Sequence, residues 1–184
     1  MAGDMRYLRS TIPVHHSFAA KRDRFARLPP MDSSFTIELL QQENYRFEVH
    51  FDNPAVPVLV TDEPAPLGGN AGPDPTHLLT TAVANCLSAS LLFALRKFKN
   101  EPGPIRATAT ATLVRNEHGR LRVGGIETQL RLGVPASSLR QWERALAQFE
   151  DFCIVTQSVR AAFPVTVRVY DVDDVRLAPS PAPA

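Results

Sequence analysis

Two cysteines, one tryptophan and three tyrosines are few for a chain of 184 residues. Cys86 and Cys153 are too few for a disulfide-rich secreted scaffold or a four-cysteine zinc site. They leave a redox pair or two buried small hydrophobes. Charge of one sign is scarce too: 20 Lys and Arg against 19 Asp and Glu leave a net +1. That is far from the basic excess with which nucleic-acid binders neutralise phosphates, so no nucleic-acid partner is expected. Long apolar runs are also missing. The longest, residues 82–95, is interrupted by Asn85, Ser88 and Ser90 and falls short of the ~20 residues of a membrane span, so none is expected. The first residues, MAGDMRYLRSTIPVHHSF, lack the apolar run and cleavage site of a secretory signal. The expectation is a cytoplasmic protein, where thiols stay reduced.

What is present suffices for one domain, since 44% of the residues are hydrophobic and single domains run to roughly 100–200 residues. Residues 1–32 read as a surface arm. Within residues 1–30, six basic side chains (Arg6, Arg9, Lys21, Arg22, Arg24, Arg27) stand against two acidic ones (Asp4, Asp23), a pattern also compatible with organelle targeting or polyanion binding. Residues 33–175 form the expected domain. Residues 176–184 end in a Pro/Ala-rich stretch, APSPAPA, which cannot bury a core and is expected to be disordered.

Within the domain the periodicity changes several times. FTIELL (35–40) and YRFEVHF (45–51) alternate apolar and polar residues and predict a hairpin. VPVLVT (56–61) predicts an edge strand, because Pro57 has no N–H to give a ladder. After a loop rich in Pro and Gly, Asp74 and Pro75 form a helix start, cap followed by the favoured first residue. No Gly or Pro recurs until Pro102, which predicts one long helix. Residues 78–95 carry no charge, so almost every face of this helix requires cover, and a second subunit is the economical source. IRATATATLVR (105–115) and a strand within 121–134 predict a second hairpin. Leu139, Trp142, Leu146 and Phe149 recur at helical spacing after Pro135, a short turn holds Cys153, and VTVRVYDV (165–172) predicts a last strand. The order β-β-β-α-β-β-α-α-β defines an α+β domain with antiparallel sheets.

Several motifs fall away. LGGNAG (67–72) resembles a phosphate cradle, but no Lys-Ser/Thr follows it. His15, His16, His50, His77 and His118 do not cluster with the cysteines at metal-ligand spacing, so neither metal nor other cofactor is expected. No nucleophile elbow supports serine catalysis.

The two cysteines remain. Gly72-Pro73-Asp74-Pro75-Thr76-His77-Leu78-Leu79, running into Ala82-Val83-Ala84-Asn85-Cys86-Leu87-Ser88, and later Phe152-Cys153-Ile154-Val155-Thr156-Gln157-Ser158-Val159, resemble the osmotically inducible protein C and organic hydroperoxide resistance family over roughly residues 33–173. The resemblance implies an intertwined homodimer whose long helices pack together between sheets. It also implies peroxidase chemistry, with Cys86 and Cys153 as the catalytic residues. Cys86 attacks an organic hydroperoxide and becomes a sulfenic acid, Cys153 resolves it as an intrasubunit disulfide, and a dithiol reductant restores both. The family's peroxidases pair a glutamate, ten residues before the first cysteine, with an arginine. Here Thr76 stands at that place and residues 47–95 contain no Lys or Arg, leaving Arg46 as a candidate cation. The alternative is a non-catalytic dimer of the same fold that binds a small apolar ligand or serves in stress, with vestigial thiols. On electrostatics alone, Cys153, nearer a helix start, is the better candidate for a lowered pKa.

Overall fold

The computed structural model describes residues 34–177. The basic arm lies outside that span, and so does the Pro/Ala tail from residue 178 on. The chain divides into two compact units, Met1–Thr36 and Ile37–Ala184, and the second carries all the elements below.

Three antiparallel strands open it, β1 (Ile37–Gln41), β2 (Phe47–Phe51) and β3 (Leu59–Thr61), in that spatial order. Leu39 pairs with Val49, and Glu48 with Val60. The third strand is shorter than its sequence pattern because the ladder begins only after Pro57. Val49 is buried, yet Ile37 and Leu39 on β1 are 47% and 52% exposed, so the alternation of β1 finds no cover among the described residues.

The loop into the long helix is organised by one side chain. The buried Asp62 carboxylate accepts N–H groups from Glu63, Gly69 and Ala71, and these bonds hold its pKa below the usual carboxylate value, Ala71 contributing most. The glycine-rich stretch is a cradle as its sequence suggested, and the anion it holds is the chain's own. Gly72 is required where the loop crosses β3, because a Cβ there would lie 2.1 Å from the Val60 carbonyl oxygen.

Helix α1 (Pro75–Lys97) starts as the sequence predicts: Asp74 Oδ1 accepts the His77 N–H at 2.8 Å and Pro75 is the first residue. It ends on Arg96 and Lys97, which suit the negative end of the helix dipole, and the chain turns away through Lys99 in a left-handed conformation (φ 60°). By length and composition α1 is apolar enough to cross a membrane, contrary to the reading that polar interruptions shorten it. The Thr80 and Ser88 hydroxyls donate to carbonyls four residues back, which masks their polarity. Its place is nevertheless a domain core. Val83, Leu87, Leu91, Ala94 and Leu95 are wholly buried, in one cluster with Ile126, Leu130, Leu146, Phe149 and Cys153. Each such large side chain contributes about 1.5–3 kcal/mol relative to exposure.

A second sheet follows, with strands β4 (Arg106–Arg115), β5 (Leu121–Arg131), β6 (Val165–Tyr170) and β7 (Arg176–Leu177) in spatial order. β4 and β5 form the expected hairpin, with a bulge opposite Thr112 and Leu113 that skips Gly124. β6 runs parallel to β5, Ile126 pairing with Val165. The second sheet is therefore mixed and not purely antiparallel, because the helical segment between β5 and β6 is long enough to serve as a crossover. β7, paired with β6, corrects the expectation of a disordered tail from residue 176: Arg176 and Leu177 extend the sheet, with Leu177 buried in the core. The turn before it is pinned by the buried Asp171, which accepts N–H groups from Ala136, Asp173 and Val175.

The crossover is not one helix. It comprises a 3-10 turn (Ala136–Ser138), helix α2 (Trp142–Leu146), a second 3-10 turn (Phe149–Phe152) and helix α3 (Ile154–Val159). Gln141, left-handed at φ 48°, breaks the helical run.

Candidate active site

Cys86 and Cys153, 67 positions apart in sequence, meet in the core. Cys86 is half-buried in the middle of α1, and Cys153 is wholly buried as the residue preceding α3. Both are free thiols. Packing of α1 against α3 and the preceding 3-10 turn brings them together, Cys86 lying against the core cluster that holds Cys153.

The electrostatics distinguish them. Burial raises the Cys153 pKa, and the hydrogen bond and negative charge available from Cys86 raise it further. The Thr156 hydroxyl, 3.0 Å from Cys153 Sγ, acts the other way. The net direction is upward, so Cys153 holds its proton. This corrects the electrostatic argument for Cys153 as the more acidic thiol: a helix of six residues does not offset desolvation.

The other residues singled out by sequence lie elsewhere. Thr76 is half-buried in the first turn of α1, where its carbonyl accepts the Thr80 hydroxyl. Arg46 lies 3.7 Å from Glu43 and close enough to Asp62 to lower its pKa. No cation is among the groups that shift the Cys153 thiol. His50 pairs with Glu48, His77 with Asp74 and His118 with Glu117. Among the described residues no three His, Cys, Asp or Glu side chains converge as a metal site.

Two further features escaped the sequence reading. Phe152, next to Cys153 and 46% exposed, packs edge-on against Phe93 of α1 at 5.7 Å between ring centroids. Lys97 Nζ lies over the same Phe152 ring at 5.7 Å. This apolar patch was hidden because Phe93 and Phe152 are far apart in sequence. The second is a cleft of about 800 Å³ between the N-terminal half of α1 and β4, lined by Thr80, Ala84 and Ser88 against Ala107, Ala109 and Ala111. The small residues on both walls leave the space.

Residues 68–168 match the family model of OsmC-like proteins. No protein of curated function matches the chain. Among solved structures, an OsmC-like protein of unknown function from Vibrio cholerae O1 biovar eltor is 16% identical with TM-score 0.63, the match covering 75% of this chain and 99% of that one. An organic hydroperoxide resistance protein from Elizabethkingia anophelis is 19% identical with TM-score 0.59, covering 77% and 99%. An organic hydroperoxide resistance protein OsmC from Legionella pneumophila, described as a predicted redox protein, is 15% identical with TM-score 0.57, covering 74% and 96%. At these identities the likeness is one of fold, and the α+β architecture around a long central helix agrees with it. With more than half of its length matched by the family model, and with both thiols inside that match, the chain belongs to the OsmC-like protein family.

Proposed function

We propose that the protein is a cysteine-based peroxidase that reduces organic hydroperoxides. The observation that carries this reading is the meeting of two free thiols from separate elements, one accessible and one buried. Cys86, the accessible one, is the attacking residue. Its thiolate attacks the terminal peroxide oxygen: the O–O bond breaks, an S–O bond forms, and the displaced alkoxide leaves as an alcohol after taking a proton. Cys153 then attacks the Cys86 sulfenic acid, forming an S–S bond and releasing water. A dithiol reduces this disulfide by exchange and is itself oxidised.

The reading extends to the assembly. Thr81, Ala82, Asn85, Ala89 and Phe93 are exposed on uncharged turns of α1, as are Ile37 and Leu39 on β1. Exposed surface without charge along α1, together with the apolar side chains of β1, supports a homodimer. A reducing cytoplasm is the compartment that keeps a dithiol partner reduced.

One observation favours a second reading. Thr76 replaces the carboxylate of the family's peroxidases, and no cation is among the groups that shift Cys153. A dimer that binds a small apolar ligand and keeps vestigial thiols fits this, and the cleft between α1 and β4 offers a place for the ligand. Turnover of an alkyl hydroperoxide with a dithiol separates the two. The peroxidase consumes it far faster than an equal concentration of free thiol; a rate no faster than free thiol hands the function to the binding protein.

A further inference from the structure

Three helical hydroxyls follow one rule. Thr80, Ser88 and Ser158 donate to the carbonyls of Thr76, Ala84 and Ile154, each four residues back, the ordinary way such a group is satisfied inside a helix. Thr156 departs from it. Its Oγ1 lies 3.0 Å from Cys153 Sγ, three residues back, and both side chains are wholly buried. The one-turn spacing sets the two side chains on the same face.

We propose that Thr156 is the positioning residue of the resolving step, taking the Cys153 proton as a hydrogen bond and then donating to the sulfur as that proton departs. The place in a catalytic cycle rests on the peroxidase reading; the physical content concerns the Cys153–Thr156 pair alone. A thiol has one proton. Directed at Oγ1, it leaves the sulfur lone pairs for Cys86. A hydroxyl is suited to this because it accepts in one state and donates in the other. In the step itself, the Cys153 sulfur attacks the sulfur of the Cys86 sulfenic acid. The S–S bond forms, the S–O bond breaks, and the thiol proton leaves on the departing oxygen as water. Negative charge gathers briefly on a sulfur with no exposure to water, where one donor is worth far more than at the surface.

Beside the hydroxyl, the Thr156 backbone N–H acts on the Cys153 thiol in the same direction and is kept in every variant below; the other groups around the pair do not take this role. Cys86 on α1 is the titratable neighbour that acts on Cys153, and it opposes loss of the proton. Lys97 is turned onto the Phe152 ring, and on the segments flanking Cys153, Glu150 and Arg160 are ion-paired to each other.

The test uses the whole chain with Thr156→Val, which keeps shape and removes the hydroxyl, and Thr156→Ser, which keeps the hydroxyl. In a Cys86→Ser background, where Cys153 is the remaining thiol, thiolate absorbance followed against pH moves to higher pH with Thr156→Val and returns with Thr156→Ser. With both cysteines present, one equivalent of an alkyl hydroperoxide oxidises Cys86 at an unchanged rate. Loss of the sulfenic acid slows about threefold to tenfold in Thr156→Val, the worth of one hydrogen bond. If Thr156→Val does not fold, Thr156→Ala reads the same two quantities. An unchanged Cys153 titration overturns the proposal, as does an unchanged resolution rate. Failure of the peroxidase reading looks different: the wild-type protein then consumes no hydroperoxide beyond the free-thiol rate, while the titration shift persists.

Discussion

Asn100 and Arg140 hold each other twice: the Asn100 amide donates to the Arg140 carbonyl at 2.8 Å, and its oxygen accepts the Arg140 N–H at 2.7 Å. Asn100 is buried just beyond the end of α1, so one side chain ties the helix that carries Cys86 to the segment that leads to Cys153. Asn100→Ala leaves both backbone groups without that partner. The expected loss is about 1–3 kcal/mol, read as a lower denaturation midpoint with unchanged slope. Asn100→Asp keeps the acceptor and loses the donor, and is expected to fall between the two.

The roles of the thiols give the next prediction. After one equivalent of organic hydroperoxide, Cys153→Ser accumulates a sulfenic acid on Cys86, detectable by a dimedone adduct and its mass. Cys86→Ser consumes none, because the remaining thiol is buried and holds its proton. Oxidation of Cys153 in a protein whose Cys86 stays reduced would reverse the assignment.

The limits of sequence reading show in these same residues. Asp74-Pro75 and the unbroken run after it signal α1 directly, because cap and propensity are local. Cys86 and Cys153 stand out because they are the two cysteines of the chain. Their meeting is not local; it depends on a crossover that Gln141 breaks with a left-handed turn and that sends β6 back parallel to β5. The burial that raises the Cys153 pKa is likewise a product of packing, and so is the direction of the Thr156 hydroxyl. The C-x-x-T spacing of Cys153 and Thr156 is the one local sign of that contact.

Thr76→Glu restores the carboxylate of the family's peroxidases at a place where no arginine partner is evident. A carboxylate without that partner brings no cation to a thiolate and adds charge of the same sign, so kcat/KM for an alkyl hydroperoxide is expected to stay level or fall. A clear rise would mean that a cation reaches the site.

Asp62 and Asp171 set the acid limit of stability. Each is buried and accepts three backbone N–H groups, and each has its pKa lowered by those bonds. A carboxyl with a depressed folded pKa stabilises the fold fully above its unfolded value, near 3.8. That contribution is lost as pH falls through the lower, folded value. The melting temperature is therefore expected to hold down to about pH 5 and to drop below pH 4. In Asp62→Asn and Asp171→Asn it is lower at neutral pH and its acid drop is smaller. An unchanged acid drop in both variants would remove these carboxylates from the account.

The last prediction concerns the face of α1 that the described chain leaves open. Ala82, Asn85 and Ala89 follow at steps of three and four, all exposed and uncharged, a stripe along one side of a helix that runs on to Phe93, itself packed against Phe152. On the opposite side Val83, Leu87, Leu91 and Leu95 are wholly buried, so the helix is finished toward its own domain and unfinished on the outside. Small side chains at 82 and 89 let another backbone come close. Light scattering of the purified protein at micromolar concentration is expected to give twice the 20.3 kDa of one chain. Ala89→Arg puts a charged, bulky group in the middle of the stripe. A monomer tolerates it there, since the position faces water, whereas a subunit contact does not. The variant is expected to scatter as a monomer or a weakened dimer, with a lower melting temperature that depends on protein concentration. A wild-type protein that scatters as a folded monomer, or an Ala89→Arg variant with undiminished assembly, would remove α1 from the subunit contact.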